Sequence, residues 1–476
     1  MAVSGEAPGP AAEAGAHKVV VVGSGPAGYT AAFRAADRGL EVTLIERYET
    51  LGGVCLNVGC IPSKALLHAA RVIAEVEEAE QFGITWGKAK IDIERLDEWK
   101  GEVVSKLTGG LAQLARRRKI EVVTGEARFT SPNEVEVGDR KIGFDSCIIA
   151  AGSRPVELPG LPDDERIVDS TGALQLEGPP RNLLVVGGGI IGLEMACVYD
   201  ALGTKVSAVE LTDTLIPECD RDLVKPLQKR IERRYEAIML GTEVTGMEAQ
   251  KSGIKVSFSG EDAPESERYD KVLVAVGRRA NGDLLDLKAA GVEVDGRGVI
   301  STDERQQTSV ENIYAIGDIT GNPMLAHRGS YQGIVAAENA AGEDVTYDAR
   351  AVPSVAYTDP EIAWAGLTES EAKEQGVEYE IGKVPWAASG RALAIERSEG
   401  LTKVLSEPGT GRILGAGMVG PNAGELIAEV VHAIEMGSTA QDIALTMHPH
   451  PTLSETVKIA AEAAQGIATD IYAPKR

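Results

Sequence analysis

The 476-residue sequence has few cysteines, fewer basic than acidic residues, and no long uninterrupted apolar run. Five cysteines are too few for a disulfide scaffold, which excludes the small disulfide-rich secreted class. Forty-eight Lys and Arg residues against 72 Asp and Glu residues give a formal net charge of −24. This acidity argues against broad binding to nucleic-acid phosphates or to anionic membrane surfaces. With 43% hydrophobic residues, the chain can still form packed cores, so disorder is not its dominant state.

The sequence also has no recognisable targeting segment or membrane span. Residues 1–16 contain no Lys or Arg and no apolar core, so we interpret them as a flexible tail and not as a secretory signal. The most apolar stretch, 183–199, contains three adjacent glycines and Glu194, which favour a strand–turn–helix over a membrane span. We therefore expect a cytoplasmic protein.

The first patterned region combines a strand, a glycine-rich turn and a helix. The β-branched run Val19–Val22 leads into Gly23-x-Gly25-x-x-Gly28 and an alanine-rich stretch, and the next strand ends at Glu46, 18 residues after the third glycine. This spacing is typical of a βαβ dinucleotide-binding unit. Its glycines let the backbone approach a pyrophosphate, the helix N-terminus favours anions, and the acidic residue accepts hydrogen bonds from a ribose.

A second region repeats this design. The run Leu183–Val186 leads into Gly187-x-Gly189-x-x-Gly192, and Glu210 follows the third glycine by the same 18 residues. A third match at Gly415, Gly417 and Gly420 has no acidic residue ending a following strand, so we interpret these three as glycines at a sheet edge. The chain is therefore predicted to bind two dinucleotides.

The remaining pattern predicts the fold class. Asn312–Asp318 indicates a buried strand ending in Gly-Asp, and from about Ala351 the pattern changes to that of a further folding unit. We predict an α/β protein with two Rossmann-like dinucleotide-binding domains and an α+β C-terminal dimerisation domain. The predicted boundaries after the tail are 17–157 (first nucleotide domain, first part), 158–280 (second nucleotide domain), 281–350 (first nucleotide domain, second part) and 351–476 (interface domain).

A close cysteine pair, Cys55 and Cys60, follows the first nucleotide unit within the segment GGVCLNVGCIPSK. One interpretation is a structural disulfide or two unrelated thiols; another is a redox-active pair. In a regular helix, positions i and i+5 lie roughly 8–9 Å apart at Cα, beyond disulfide reach. If the two cysteines bridge, the backbone must be distorted there, and Gly53, Asn57 and Gly59 tolerate such distortion. A zinc site would need further ligands, so no metal is predicted.

The segment 52–64 resembles the redox-active motif of the class I flavin-dependent pyridine nucleotide–disulfide oxidoreductases. The segment 448–455, HPHPTLSE, is similar to the C-terminal signature of the dihydrolipoamide dehydrogenase branch of that family. The resemblance runs from about residue 17 to the end and includes Met324–His327 and the segment 357–361.

This resemblance implies two cofactors, FAD on the first nucleotide unit and NAD on the second. The residues implied to bind FAD are Gly23, Gly25, Gly28, Glu46, Lys64, Ala127, Gly152, Asp318, Ala326 and His327. The residues implied to bind NAD are Gly187, Gly189, Gly192, Glu210, Val244 and Gly277. A carboxylate at Glu210 accepts from a free 2′-hydroxyl and repels a 2′-phosphate, which favours NAD over NADP.

The resemblance also implies catalytic roles. Cys55 would be the thiol that exchanges with substrate, Cys60 would face the flavin, and Lys64 would pair with Glu194. His450 would be the base, oriented by Glu455 and supplied by the other subunit of a homodimer with shared active sites. We expect His448 to have only a surface role.

The implied activity is oxidation of protein-bound dihydrolipoamide to lipoamide with reduction of NAD⁺. The implied partners are lipoyl-bearing proteins, such as the acyltransferase core of 2-oxo acid dehydrogenase complexes or the glycine cleavage system. The alternative is another disulfide reductase or diaphorase of the same family. Glu210 disfavours NADPH-linked glutathione-type reductases, and the lack of cysteines after Cys219 disfavours mercuric and large thioredoxin reductases. A purely non-catalytic scaffold is disfavoured by the intact cysteine pair and base.

Overall fold

The computed structural model describes residues 17–87 and 89–472, so the predicted tail lies outside the described residues. The chain divides into two compact units. The first unit contains the described residues up to Asn57, Ser105–Arg154 and Arg279–Asp348; the second contains Val58–Val104, Pro155–Arg278 and the described residues from Ala349 onward.

Strands occur throughout the chain. In order they are β1 Lys18–Val22, β2 Glu41–Glu46, β3 Glu121–Thr124, β4 Ala127–Ser131, β5 Glu134–Val137, β6 Arg140–Gly143, β7 Ser146–Ile149, β8 Ser153–Pro155, β9 Ile167–Val168, β10 Asn182–Val186, β11 Lys205–Val209, β12 Ala237–Met239, β13 Glu243–Gln250, β14 Gly253–Ser259, β15 Ser266–Tyr269, β16 Lys271–Val274, β17 Arg278–Ala280, β18 Ile313–Ala315, β19 Ser354–Ala356, β20 Ile362–Gly366, β21 Glu380–Pro385, β22 Leu401–Ser406 and β23 Ile413–Val419.

The α-helices alternate with many of these strands. They are α1 Pro26–Asp37, α2 Gly53–Val58, α3 Cys60–Glu78, α4 Ile93–Arg117, α5 Ile190–Ala201, α6 Arg221–Ile231, α7 Ala326–Ala340, α8 Glu369–Gln375, α9 Gly390–Ala394, α10 Ala423–Glu435, α11 Ala440–Leu445 and α12 Glu455–Ala464. Across the described residues, no helix has both the length and the apolar character needed to cross a bilayer.

The first unit is built on a five-stranded parallel sheet in the order β18-β7-β1-β2-β3. A separate antiparallel sheet, β4-β5-β6, is formed by the strands between β3 and β7 in the sequence. The four valines of β1 are buried, as expected for an inner strand of a parallel sheet covered on both faces. Helix α1 packs on α7. Since parallel strands end at one edge of the sheet, the glycine turn after β1 and the Gly-Asp turn after β18 lie at the same edge.

The second unit contains a parallel sheet, β12-β11-β10-β16-β9, and two antiparallel sheets, β13-β14-β15 and β19-β20-β23-β22-β21. Helix α5 packs on α3, while α10 covers β20 and β23, and α12 covers β21 and β22. The predicted α/β class with an α+β C-terminal part is confirmed.

One prediction about the third glycine triplet was wrong. It lies on and just after β23, the central strand of its sheet and not an edge. A Cβ on Gly415 would lie 2.1 Å from the Leu367 carbonyl oxygen, and one on Gly417 would lie 2.2 Å from Leu223. The glycines therefore allow other elements to pack closely against the middle strand of the sheet. The sequence pattern alone does not reveal these contacts.

Candidate active site

The glycine turn after β1 forms a cradle in the first unit. Gly23 has φ +101°, and a Cβ there would lie 2.3 Å from the Ala150 carbonyl oxygen. A Cβ on Gly28 would lie 1.9 Å from the Gly23 carbonyl oxygen, so helix α1 can pack this close only with glycine there. By contrast, a Cβ on Gly25 would meet no described atom within 4 Å, and Gly25 gives α1 no side-chain cap. Open space at an uncapped helix N-terminus fits the pyrophosphate of a dinucleotide.

Glu46 closes this cradle. Its Oε2 accepts hydrogen bonds from the Ser24 N–H at 2.9 Å and the Ser24 hydroxyl at 2.5 Å, and its Oε1 accepts from the Tyr48 N–H at 3.1 Å. The residue is 5% exposed. The carboxylate is therefore fixed by its own chain at the end of β2, where a dinucleotide ribose would lie.

The cysteine motif begins on the same turn. The Gly52 N–H donates to the Ser24 carbonyl oxygen at 3.0 Å and to its hydroxyl at 3.1 Å. A Cβ on Gly53 would lie 2.7 Å from the Gly25 Cα. Cys55 follows two residues later in α2, so the first nucleotide turn and Cys55 are fastened together within one unit.

Asp318 lies at the sheet edge after β18, in a turn covering Gly317–Thr320. Its Oδ2 accepts from the Ser153 hydroxyl at 2.6 Å, and the Gly317 N–H donates to Gln332 Oε1 at 2.9 Å. A Cβ on Gly317 would lie 3.0 Å from the Ala27 methyl group, which places this turn beside the start of α1.

The other residues predicted to bind FAD are spread over this unit and beyond it. Gly152 precedes β8, and Ala326 and His327 begin α7. Ala127 begins β4 and is 5% exposed. Lys64 belongs to the second unit.

The turn after β10 repeats the cradle in the second unit. Gly187 has φ +109°, a Cβ on Gly192 would lie 2.2 Å from the Gly187 carbonyl oxygen, and a Cβ on Gly189 would meet no described atom within 4 Å. Glu210 Oε2 accepts from the Gly188 N–H at 2.7 Å, and its Oε1 accepts from the Thr212 N–H at 2.8 Å. This turn also fits a dinucleotide. Of the other two residues predicted there, Val244 lies in β13 and Gly277 follows β16.

The five cysteines differ in their surroundings. Burial raises the pKa of the Cys147 and Cys219 thiols far above the ordinary value, and that of Cys197 to about 11. Cys55 is partly exposed and Cys60 is exposed. Because the thiolate is the reactive form, the raised pKa makes Cys147, Cys197 and Cys219 poor nucleophiles, and thiol chemistry is left to the pair in the motif.

The backbone between the paired cysteines is interrupted. Helix α2 ends at Val58, and Gly59 adopts φ −146° and ψ −117° before Cys60 begins α3. The stretch from Cys55 to Cys60 is therefore not one regular helix. A disulfide between the two cysteines would require such an interruption.

Lys64 and Glu194 form an ion pair in the second unit. Lys64 Nζ lies 2.7 Å from Glu194 Oε2, and Glu194 Oε1 accepts from the Tyr357 N–H at 3.0 Å. The ammonium also lies 4.6 Å from the centre of the Tyr357 ring. Glu194 is 4% exposed, so the carboxylate that pairs with this lysine is a buried one on helix α5.

His450 and Glu455 are brought together at the start of α12. His450 Nδ1 lies 2.9 Å from Glu455 Oε1, and the Thr452 N–H donates to Glu455 Oε2 at 2.8 Å. Burial acts to raise the pKa of Glu455, but the Thr452 N–H and the His450 ring outweigh it and hold that pKa below the ordinary value. The carboxylate thus stays ionised and orients the imidazole, with Nε2 directed away from it.

His448 departs from the prediction. Its side chain is 4% exposed, against 80% for His450, so the expected surface role is wrong. Its Nε2 lies 2.7 Å from Glu429 Oε1, and its Nδ1 lies 2.9 Å from the Thr446 carbonyl oxygen. The reason is the contact with α10, which brings Glu429 onto the ring from 19 residues away.

Two dinucleotide turns, a solvent-accessible cysteine pair and a histidine–carboxylate pair are the features of an oxidoreductase that moves electrons between thiols and nucleotide cofactors. The comparisons agree. Residues 17–333 match the family described as pyridine nucleotide-disulphide oxidoreductase, and residues 352–461 match the dimerisation domain of that family. The chain belongs to the pyridine nucleotide-disulphide oxidoreductase family, whose members use FAD and a nicotinamide nucleotide.

Within this family, relatives named for one activity match nearly the full length of the chain. The chain is 54% identical to a dihydrolipoyl dehydrogenase of Vibrio cholerae over 95% of this chain and 97% of that one. It is 44% identical to a dihydrolipoyl dehydrogenase of Haloferax volcanii over 94% of this chain and 96% of that one. Among solved structures, LpdA of Mycobacterium tuberculosis has a TM-score of 0.86 at 26% identity, over 94% of this chain and 99% of that one.

Several contacts were not predicted. Ser24, Tyr357, Thr452 and Glu429 each fix a predicted residue, yet none was assigned a role from the sequence. Ser24 lies at a variable position of the glycine motif, so the motif gives no signal for it. Tyr357 and Thr452 belong to the segments 357–361 and 448–455, which contributed to the family resemblance, and this was the available signal for both.

Proposed function

We propose that this chain is an NAD-dependent dihydrolipoamide dehydrogenase, acting as a homodimer whose two subunits share each active site. The observation that carries the proposal is the cysteine pair: the partly exposed Cys55 lies two residues after the Gly53 contact with the first nucleotide turn, and the exposed Cys60 follows it. Burial raises the thiol pKa of the other three cysteines. The relatives named dihydrolipoyl dehydrogenase, at up to 54% identity, support the choice of substrate.

The first steps are thiol–disulfide exchange. In the oxidised enzyme, Cys55 and Cys60 form a disulfide. His450 of the partner subunit accepts a proton from dihydrolipoamide at Nε2, and the resulting thiolate attacks Cys55 Sγ, which breaks the Cys55–Cys60 bond and leaves Cys60 as a thiolate. The second substrate sulfur then attacks the first substrate sulfur, the bond from that sulfur to Cys55 breaks, and the proton of the second thiol passes to the departing Cys55 sulfur, so that lipoamide leaves and two electrons remain on the cysteine pair. Glu455 holds the protonated imidazole.

The chain's other residues serve the two cofactors. FAD, when bound, supplies the acceptor for this electron pair and the hydride that reduces NAD⁺. In the first unit, Gly23, Gly25 and Glu46 would hold the adenosine-diphosphate half of FAD, with Asp318 near its pyrophosphate or ribityl part. In the second unit, Glu210 would hold the adenosine ribose of NAD. The pair Lys64–Glu194 would place a positive charge beside the flavin ring.

The wider assignment follows the same family. The first nucleotide domain comprises 17–157 and 281–350, the NAD domain 158–280, and the interface domain 351–476. The substrate is a lipoyl group on a partner protein, such as the acyltransferase core of a 2-oxo acid dehydrogenase complex or a protein of the glycine cleavage system. The location is the cytoplasm.

The test is dihydrolipoamide-dependent reduction of NAD⁺ by the purified flavin-loaded protein. Cys55→Ser and Cys60→Ser should each lower the rate by roughly a thousandfold or more, since both remove an obligatory group, while FAD stays bound. Cys197→Ser is the matched control, because serine can keep the contact with the Tyr235 hydroxyl. Full activity of either motif variant, or loss of flavin from both, would refute the assignment.

A further inference from the structure

The buried ring of His448 has an acceptor at each nitrogen. The Thr446 carbonyl oxygen near Nδ1 can only accept, so Nδ1 carries a proton. Nε2 lies 2.7 Å from the Glu429 carboxylate, so a further proton lies between these two groups. The buried ring is thus held to the partly exposed Glu429 carboxylate by a charge-assisted hydrogen bond, which is stronger than a neutral one.

This pair anchors the segment that carries His450. His448 and His450 are separated only by Pro449, whose ring restricts the backbone. The Pro449 carbonyl oxygen accepts from the Thr452 hydroxyl at 2.8 Å, and the Thr452 N–H donates to Glu455. The segment is therefore held by α10 on one side, through His448 and Glu429, and by α12 on the other, through Glu455.

The two histidines differ in exposure and in the number of partners that fix their side chains. His450 is 80% exposed and has one carboxylate partner, so little of its own surface fixes its position. His448 is 4% exposed and has partners at both nitrogens. A base that must reach a thiol on another subunit needs its placement set by its neighbours, because a displacement of about 1 Å can lower a rate by a hundredfold.

We propose that His448, paired with Glu429, is a positioning residue that places His450 Nε2 for proton transfer from the dithiol. This rests on the proposed function, in which His450 is the base. His448 touches neither substrate nor cofactor in this scheme; it acts through the backbone of Pro449 and His450.

The test compares two activities of the flavin-loaded protein. The first is dihydrolipoamide-dependent reduction of NAD⁺, which needs the base. The second is oxidation of NADH by ferricyanide, which uses the nicotinamide and flavin sites but deprotonates no thiol. His448→Ala should lower kcat of the first by roughly tenfold to a hundredfold with little change in KM for dihydrolipoamide, and leave the second within twofold of the wild type.

Two further variants sharpen the test. His448→Gln can donate to either Glu429 or Thr446 but not to both, so it should restore part of the lost kcat. His448→Ala combined with Glu429→Ala should lower kcat no more than His448→Ala alone, because both changes remove the same contact. The matched control is His432→Ala, an exposed histidine on the same helix as Glu429, which should leave both activities unchanged.

The outcomes separate the claims. Unchanged kcat in His448→Ala with normal wild-type activity would overturn this inference alone, and so would an equal loss of both activities, which indicates a merely structural anchor. A flavin-loaded wild type that does not reduce NAD⁺ with dihydrolipoamide would overturn the proposed function itself. If His448→Ala does not fold, His448→Gln decides by the same criteria.

Discussion

The two dinucleotide turns share one backbone but differ in how their acidic residue is held. In both, the first glycine has a positive φ and the third packs its helix onto the first. In the first unit, Glu46 is 5% exposed and accepts from both the N–H and the hydroxyl of Ser24. In the second, Glu210 is only partly buried; it accepts from the N–H of Gly188, and its hydroxyl donor is Thr212, which follows it in the chain and lies outside the glycine turn.

This difference suits one retained and one exchanging cofactor. A serine could not replace Gly188, because a Cβ there would lie 2.6 Å from Leu215 and 3.0 Å from Glu210. The second turn is thus packed closely against its own acidic residue, and Glu210 is more open to solvent than Glu46. We infer that the buried Glu46 belongs to a cofactor that stays bound, and the accessible Glu210 to one that enters and leaves in each turnover.

The largest effect is expected where both turns are alike. Gly28→Ala should destabilise the first unit by about 3 kcal/mol or more, because its methyl group would overlap the Gly23 carbonyl oxygen. Chemical denaturation of the flavin-free protein measures this. Gly25→Ala is the control, since the space there is open, and it should weaken FAD binding without lowering that stability. Equal stability of the two variants would mean that the packing of α1 on the turn is misread.

An intermediate effect should separate the two acids. Glu46→Ala leaves the buried N–H of Ser24 without an acceptor, which costs about 1–3 kcal/mol, so FAD should be lost on gel filtration. Glu210→Ala should retain FAD and instead raise KM for NAD⁺. Flavin content and steady-state kinetics of both variants test the contrast; flavin loss from the Glu210 variant would contradict it.

A more specific change tests the choice of nucleotide. Glu210→Ser removes the negative charge that repels a 2′-phosphate, so the preference for NAD⁺ over NADP⁺ should fall by roughly 10- to 100-fold. The ratio of kcat/KM for the two nucleotides reports it. Glu46→Ser, measured on the fraction of protein that retains flavin, should leave that ratio unchanged. An equal change of the ratio in both variants would contradict the assignment of NAD to the second turn.

The smallest effect concerns Ser24. Ser24→Gly gives the first turn the residue found at Gly188 of the second. It removes the hydroxyl that donates to Glu46 and accepts from the Gly52 N–H, which should cost about 1 kcal/mol and speed the release of FAD. The rate of flavin loss in mild denaturant measures this. A release rate equal to that of the wild type would show that the serine hydroxyl does not distinguish the two sites.

The sequence predicts those parts of the molecule that depend on short-range spacing. Both βαβ units, the strand before Asp318 and the interruption at Gly59 follow from residues a few positions apart, whose geometry the backbone dictates. The pairing of His450 with Glu455 was implied by the family resemblance of the segment 448–455, and the structure brings the two side chains together.

The parts that could not be predicted depend on distant residues. The Glu429 carboxylate reaches His448 from another helix, and the Tyr357 N–H reaches Glu194 across 163 positions. The side chain of Leu223 leaves no room for a Cβ at position 417, and no local sequence pattern shows this contact. Such contacts arise only when elements pack. From the sequence alone, His448 was therefore predicted to be a surface residue, and the glycines of β23 were predicted to lie at a sheet edge.

One measurement tests the central claim, that electrons pass from a dithiol through the cysteine pair to a nucleotide on the second turn. The flavin-loaded protein is reduced anaerobically with dihydrolipoamide, freed of excess reagent, and mixed with NAD⁺. The account predicts about one NADH per wild-type subunit and none from Cys55→Ser or Cys60→Ser, since each subunit stores one electron pair on its cysteines. No NADH from the wild type, or an equal yield from the serine variants, would contradict it.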